Sequence, residues 1–240
     1  RMSSPKVFIF APADPTGATH RKMEEAGCEL VLGQASWMTP QGDNEGEICS
    51  MAEEADALTG TSIRSSPISG NIMAAAPNLR IVAKASIGVD DVDVEAATKQ
   101  GVLVTNSPLE SNWSAVAEGT MSMILALLKK TRERDEAMKR GEWRDPVLQG
   151  TFLGNRQDGY KGLTIGMIGF GRTARRFTDL LAPWRVRIIA YDPYIEPSRF
   201  VLSNVTRVDL TTLLKESDIV SLHVTLTKET RQMRSEERRV

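Results

Sequence analysis

The stretch from Leu163 to Asp192 constrains the fold of this chain more than any other part of it. Thr164-Ile-Gly-Met-Ile168 reads as a buried strand. It runs directly into Gly169-Phe-Gly171-Arg172-Thr173-Ala174, after which an amphipathic helix continues to about Leu181. This is the pattern G-x-G-x-x-A in the strand-to-helix setting the motif needs. Gly169 permits a tight turn, Gly171 has no Cβ and lets backbone approach a pyrophosphate, and Ala174 is small enough for close packing of helix on strand. The free N–H groups and the dipole at such a helix start favour an anion. A second strand, Val186–Tyr191, ends in Asp192, about 20 residues past the glycines, where an acid accepts hydrogen bonds from ribose hydroxyls. A carboxylate there repels a 2′-phosphate, so the reading is NAD rather than NADP. Arg172, Arg175 and Arg176 weaken that preference, although the helix is expected to turn the latter two to solvent. A glycine turn that binds nothing is the alternative; the strand before, the helix after and the acid at that spacing weigh against it.

The rest of the chain repeats the same rhythm. Strands are expected at Lys6–Phe10, Glu29–Leu32, Ala57–Thr59, Leu79–Ala85 and Val102–Thr105, with helices at Thr19–Ala26, Asp43–Glu54 and Val94–Gln100. Alternation of this kind predicts a parallel sheet with helices on both faces. One long helix, Ser114–Arg140, follows, with Val116, Met123, Ile124, Leu127 and Leu128 at three- and four-residue steps. After a loop at Asp145–Tyr160 the strands restart: Thr164–Gly169, Val186–Tyr191, Val205–Val208 and Ile219–Val224. The expected fold is α/β, with two Rossmann-like doubly wound parallel sheets, and the boundary falls near residue 108. A length of 240 residues suits two small domains.

Composition excludes several functions. A net charge of −1 gives no basic field, and aromatics are only 5%, so nucleic acid is not an expected partner. Cys28 and Cys49 stand apart with no metal-binding spacing, so no zinc site is expected. No apolar run approaches the roughly 18 residues of a membrane span. With no leader pattern either, the expected location is the cytoplasm.

Four stretches together resemble one family. They are Ser86-Ile-Gly-Val-Asp-Asp-Val-Asp93 with Gly101-Val-Leu-Val-Thr-Asn106; Asn112-Trp-Ser-Ala-Val-Ala-Glu118; the glycine motif with Tyr191-Asp-Pro193; and Ser217-Asp-Ile-Val-Ser-Leu-His-Val-Thr-Leu-Thr227 with Glu229-Thr230. In this order they resemble the D-isomer-specific 2-hydroxyacid dehydrogenases, which include phosphoglycerate dehydrogenase. The resemblance implies a flavodoxin-like substrate domain over 1–108, an NAD domain over 109–240 and a cleft between them. It implies that amides near Ile87 and Gly88 hold a substrate carboxylate; a strand-end turn with Asp90 and Asp93 capping the next helix is the alternative. Arg64 would reach a second acidic group, or be a solvated loop arginine. Asn112 would sit near substrate and nicotinamide, or cap its helix, or both. Gly169, Gly171, Arg172, Thr173, Asp192, Pro193, His223, Val224, Thr225 and Thr230 would line the cofactor site, with Thr225 where the family usually has Pro. His223 is placed on the fourth strand of this domain, and a His there is also read as simple packing. A homodimer through Ser114–Arg140 is implied as well. Arg64 and Lys84 suggest phosphoglycerate, while glyoxylate-, pyruvate- and formate-type substrates stay open.

The chain also departs from the pattern. Hydride transfer between NAD and C2 of a hydroxy acid needs a His paired with a carboxylate, and an Arg. In the family these lie beyond the Leu-His-Val segment, and this sequence ends at Val240. Its two histidines are His20 and His223. The expectation is therefore a C-terminally truncated member without the family's catalytic Arg, Glu and His. Such a chain would have a solvated tail at Arg231–Val240, an exposed fourth strand, weakened NAD binding and impaired turnover. An NAD-sensing or corepressor-like scaffold, or an inactive fragment, is the alternative.

Overall fold

The computed structural model describes residues 4–34, 44–61 and 67–233. The chain divides into two compact units, Arg1–Leu109 and Glu110–Val240.

The first unit runs β1 (Lys6–Ala11), α1 (Ala18–Glu25), β2 (Glu29–Leu32), α2 (Glu45–Ala52), β3 (Ala57–Gly60), α3 (Gly70–Ala75), β4 (Ile81–Lys84), α4 (Val94–Gln100) and β5 (Leu103–Thr105). Its five strands are parallel in the order β2-β1-β3-β4-β5, the flavodoxin-like winding. Val7 to Ala11 are all buried, as a continuous apolar run must be in a parallel strand covered on both faces. Phe8, Phe10, Ile48, Leu58, Ile72 and Val82 form the core around it. Local chemistry fixes the helix ends. Asn44 and Glu47 form a reciprocal capping box on α2, and Gly101 ends α4 in the left-handed conformation at φ 72°. The sequence reading omits α3. This helix has only six residues and opens on Ser69-Gly70-Asn71, which is turn chemistry; burial of Ile72 and Met73 decides it.

The second unit runs α5 (Glu110–Leu128), α6 (Thr131–Lys139), β6 (Thr164–Ile168), α7 (Arg172–Leu181), β7 (Arg187–Tyr191), α8 (Pro197–Leu202), β8 (Thr206–Arg207), α9 (Leu210–Glu216) and β9 (Ile219–Leu222). All strands are parallel in the order β8-β7-β6-β9, which is the 3-2-1-4 portion of a Rossmann sheet. The fold class read from the sequence is thus the one observed.

One long helix over Ser114–Arg140 is not. There are two helices, and the first begins at Glu110. The break falls at Lys129-Lys130, where Lys130 turns left-handed at φ 51°. The Leu128 carbonyl accepts from Thr151 N at 2.8 Å, while Lys129 and Lys130 reach the carbonyls of Thr151 and Val147. Bonds to the following loop replace those that would have carried the helix on. Among the described residues β9 lies at the edge of its sheet, with β6 on one side and Val220 and Leu222 exposed.

Candidate cofactor site

The glycine turn is built by three neighbours. Gly169 leaves β6 at φ 88° and donates to the Tyr191 carbonyl at 2.8 Å. A Cβ there would stand 2.7 Å from the His223 carbonyl oxygen, so only glycine lets the ends of β6 and β9 approach this closely. Phe170 turns inward, is fully buried and stacks on Phe200 with ring centroids 4.7 Å apart. Its N–H donates to Asp192 Oδ2 at 2.8 Å, and Asp192 Oδ1 accepts from Tyr194 N at 2.9 Å. The acid at the tip of β7 therefore anchors the glycine turn at the tip of β6. Each of its oxygens retains a lone pair for a further donor.

Gly171 occupies the N-cap of α7, and no side chain caps that helix. A Cβ on Gly171 would meet nothing within 4 Å, so open space faces the helix end. Orphan N–H groups, a helix dipole and open space together form an anion site. Ala174 is fully buried where α7 meets the sheet. Arg172 is exposed, but Arg175 and Arg176 are half-buried rather than turned to solvent, and Arg175 Nε donates to the Gly171 carbonyl at 3.3 Å. α5 packs along α7, so this helix has less surface open to water than the sequence reading allowed.

His223 stands just past the end of β9 rather than on it, with its N–H on the Ile168 carbonyl at 2.8 Å. Its ring is tilted against Phe177, with centroids 5.9 Å apart, and Nε2 lies 3.0 Å from Ser221 Oγ. Burial pushes its pKa below the ordinary histidine value. The loop after it is tied by Thr230 Oγ1, which donates to the Thr225 carbonyl at 2.6 Å and accepts from Thr227 N at 2.8 Å. Opposite, the Tyr194 hydroxyl donates to Glu229 at 2.5 Å, and that carboxylate pushes the phenol pKa up.

These elements enclose a cavity of about 840 Å³, within the range of cofactor sites. Gly169, Gly171, Asp192, Pro193, His223, Val224, Thr225 and Thr230 line it, and Arg172 and Thr173 follow Gly171 on the first turn of α7. Tyr194, Ile195, Lys228 and Glu229 line it too and were missed. They lie in loops with no period to mark them; proximity to Asp192 and Thr230 is the one available signal. Cavity size, the open uncapped helix end and the acid at β7 fit a dinucleotide.

In the first unit, Ile87 and Gly88 lie in the turn after β4. Their carbonyls accept from Asn106 Nδ2 at 2.8 Å and Ser86 Oγ at 3.2 Å, and among the described residues their N–H groups donate to nothing. Asp93 caps α4 through Ala96 N at 2.9 Å; Asp90 does not. Lys84 is not an available cation. It is buried, pairs with Asp91 at 2.5 Å and donates to the Thr61 carbonyl at 3.2 Å. Arg64 lies outside the described residues. Asn112 is the third residue of α5 and is exposed, so it is not the helix cap. Among the described residues, no group of three His, Cys, Asp or Glu is arranged to hold a metal, and no helix is long and apolar enough to cross a membrane.

A parallel α/β unit with this turn and this acid is a dinucleotide-binding domain of the Rossmann class. The family profile described as D-isomer specific 2-hydroxyacid dehydrogenase, NAD binding domain, matches residues 121–238. A glyoxylate reductase of Thermofilum pendens is 35% identical over 99% of this chain and 67% of its own length. A D-3-phosphoglycerate dehydrogenase of Mycobacterium tuberculosis is 34% identical over 79% of this chain and 34% of its own. A crystal structure of a Thermus thermophilus protein superposes with a TM-score of 0.77 at 27% identity, over 95% of this chain and 67% of that one. The chain thus spans about two thirds of one curated relative and about a third of the other. It belongs to the D-isomer-specific 2-hydroxyacid dehydrogenase family, and its cofactor is NAD.

Proposed function

We propose that this protein serves an NAD-dependent oxidoreductase reaction in which hydride moves between NAD and C2 of a small 2-hydroxy or 2-oxo acid. The observation that carries this is the glycine turn: Phe170 N–H bonded to Asp192, beside an uncapped helix end that faces open space. In this reading, N–H groups of Gly171, Arg172 and Thr173 hold the pyrophosphate, and Asp192 takes the adenosine ribose and repels a 2′-phosphate. His223, Val224, Thr225 and Thr230 form the wall towards the nicotinamide. NAD, when bound, supplies the hydride acceptor or donor.

The unit over 1–109 supplies the substrate carboxylate site, through the amides of Ile87 and Gly88, which are unclaimed among the described residues, acting as a small anion nest. With Lys84 committed to Asp91, no described cation beside that turn favours a phosphorylated acid, so glyoxylate is the first substrate to test. Neither His20 nor His223 is paired with a carboxylate among the described residues, so the proton is not assigned to a histidine here. Burial favours the neutral form of His223, which serves as wall. Exposed Val116, Met123 and Leu127 on α5 support a homodimer through that helix. Calorimetric titration with NAD, followed by NADH oxidation with glyoxylate, tests the proposal. Failure of the folded chain to bind NAD at millimolar concentration overturns it.

A further inference from the structure

We propose that Trp113 is a positioning residue for the cofactor's phosphates, its indole face holding the Arg172 guanidinium beside the glycine turn. The inference rests on the reading above, that Gly169–Ala174 receives the pyrophosphate of NAD. Both residues belong to the second unit. α5 packs along α7, which brings the first turn of α5 to the start of α7. The Arg172 guanidinium carbon lies 5.2 Å from the centroid of the Trp113 ring. That is inside the roughly 6 Å over which the ring quadrupole attracts a cation, and tryptophan does this best of the three aromatics.

Arg172 is the first residue of α7, directly after Gly171. Its side chain is exposed, while Trp113 is half-buried. Several arginines in this unit are bound to carboxylates, such as Arg187 to Glu216 and Arg140 to Glu142. Among the described residues no carboxylate pairs with Arg172; the indole is its partner. The difference matters for an anion site. A carboxylate would neutralise the guanidinium, whereas an aromatic face leaves its charge intact. A contact with the ring also takes up none of the guanidinium's N–H donors as an ion pair would, and leaves them for phosphate oxygens. An exposed arginine otherwise samples many rotamers, and ordering it on binding weakens affinity. Trp113 orders it beforehand.

The consequence is specific to phosphate. The full chain is titrated by calorimetry with ADP and, separately, with adenosine, at low and high salt. Trp113→Leu should weaken ADP about two- to fivefold, the affinity equivalent of an exposed cation–π contact, and leave adenosine unchanged. Trp113→Phe should restore part of the loss. Arg172→Gln should weaken ADP more than any Trp113 change, and adding Trp113→Leu to it should have no further effect. The gap between wild type and Trp113→Leu should narrow at high salt. Trp113→Met carries the same test should the leucine variant not fold. Unchanged ADP binding in a folded Trp113 variant, equal weakening of ADP and adenosine, or effects that add to those of Arg172→Gln each overturn the inference while the cofactor reading stands. A wild-type chain that binds neither ADP nor NAD removes the cofactor reading itself, and this inference with it.

Discussion

Asp192 does two jobs, and replacing it separates them. Its Oδ2 is the acceptor for Phe170 N–H at 2.8 Å, and Phe170 is fully buried. In Asp192→Ala that N–H loses its carboxylate acceptor, which costs about 1–3 kcal/mol. The second bond, from Tyr194 N, ends on a residue 77% exposed, so water substitutes there at little cost. The expected total is about 2 kcal/mol, or a fall in Tm of roughly 4–8 °C for a chain of this size. Asp192→Asn keeps one acceptor oxygen, which can face Phe170 N–H, so it should lose under about 1 kcal/mol. Ligand binding ranks the variants differently. Asparagine lacks the charge that strengthens a bond to the ribose hydroxyls, so both variants should lose about tenfold in NAD affinity. Both should narrow the preference for NAD over NADP, because the repelling carboxylate is gone. Urea unfolding and calorimetry with each dinucleotide measure the two effects. If Asp192→Ala is as stable as wild type to within about 0.5 kcal/mol, the anchoring argument is wrong. If its NAD affinity is also unchanged, Asp192 is not in the cofactor site.

Three further outcomes are expected. Gly169→Ala forces a left-handed φ on a residue whose Cβ would stand 2.7 Å from the His223 carbonyl oxygen, and should lose about 2–4 kcal/mol in urea unfolding; a loss under about 1 kcal/mol would mean that β6 and β9 can part freely. His223 is depressed by burial, so between its folded pKa and the unfolded value near 6.5 the unfolded chain binds more protons; its contribution is whole above about pH 6.5 and falls as pH drops through that window. Urea midpoints at pH 7.5 and 5.5 should therefore differ more in wild type than in His223→Gln, and equal differences would place the acid sensitivity elsewhere. Lys84→Met breaks the pair with Asp91 and drops the bond from the buried ammonium to the Thr61 carbonyl, and should lose about 3–5 kcal/mol in urea unfolding; a variant as stable as wild type would show the pair to be unimportant.

Much of the fold was legible because its elements carry local signals. Val7–Ala11 is an apolar run of strand length, Gly101 is a helix stop, and Gly169–Ala174 is a turn whose spacing dictates its geometry. Other elements have no such signal. α3 and α8 have six residues each, too few for a period to show, and are decided by burial of Ile72 and Phe200. The break at Lys130 depends on Thr151, more than 20 residues away, capturing the Leu128 carbonyl. Lys84 looked like an available cation because a sequence shows charge and not depth; its partner Asp91 is visible only once the turn after β4 has closed. The site divides along the same line. Glycines and an acid at fixed spacing can be read from the chain, since they answer to one local constraint each. What makes them a site is non-local: Asp192 must satisfy the N–H of Phe170, Gly169 must leave room for His223, and Trp113 must stand beside Arg172. Asp192 could be read as an acid for a ribose, but not as the anchor of the turn that receives the phosphates. The second role follows from hydrogen-bond bookkeeping across two strand tips, and it explains why the acid and the glycines have to occur together.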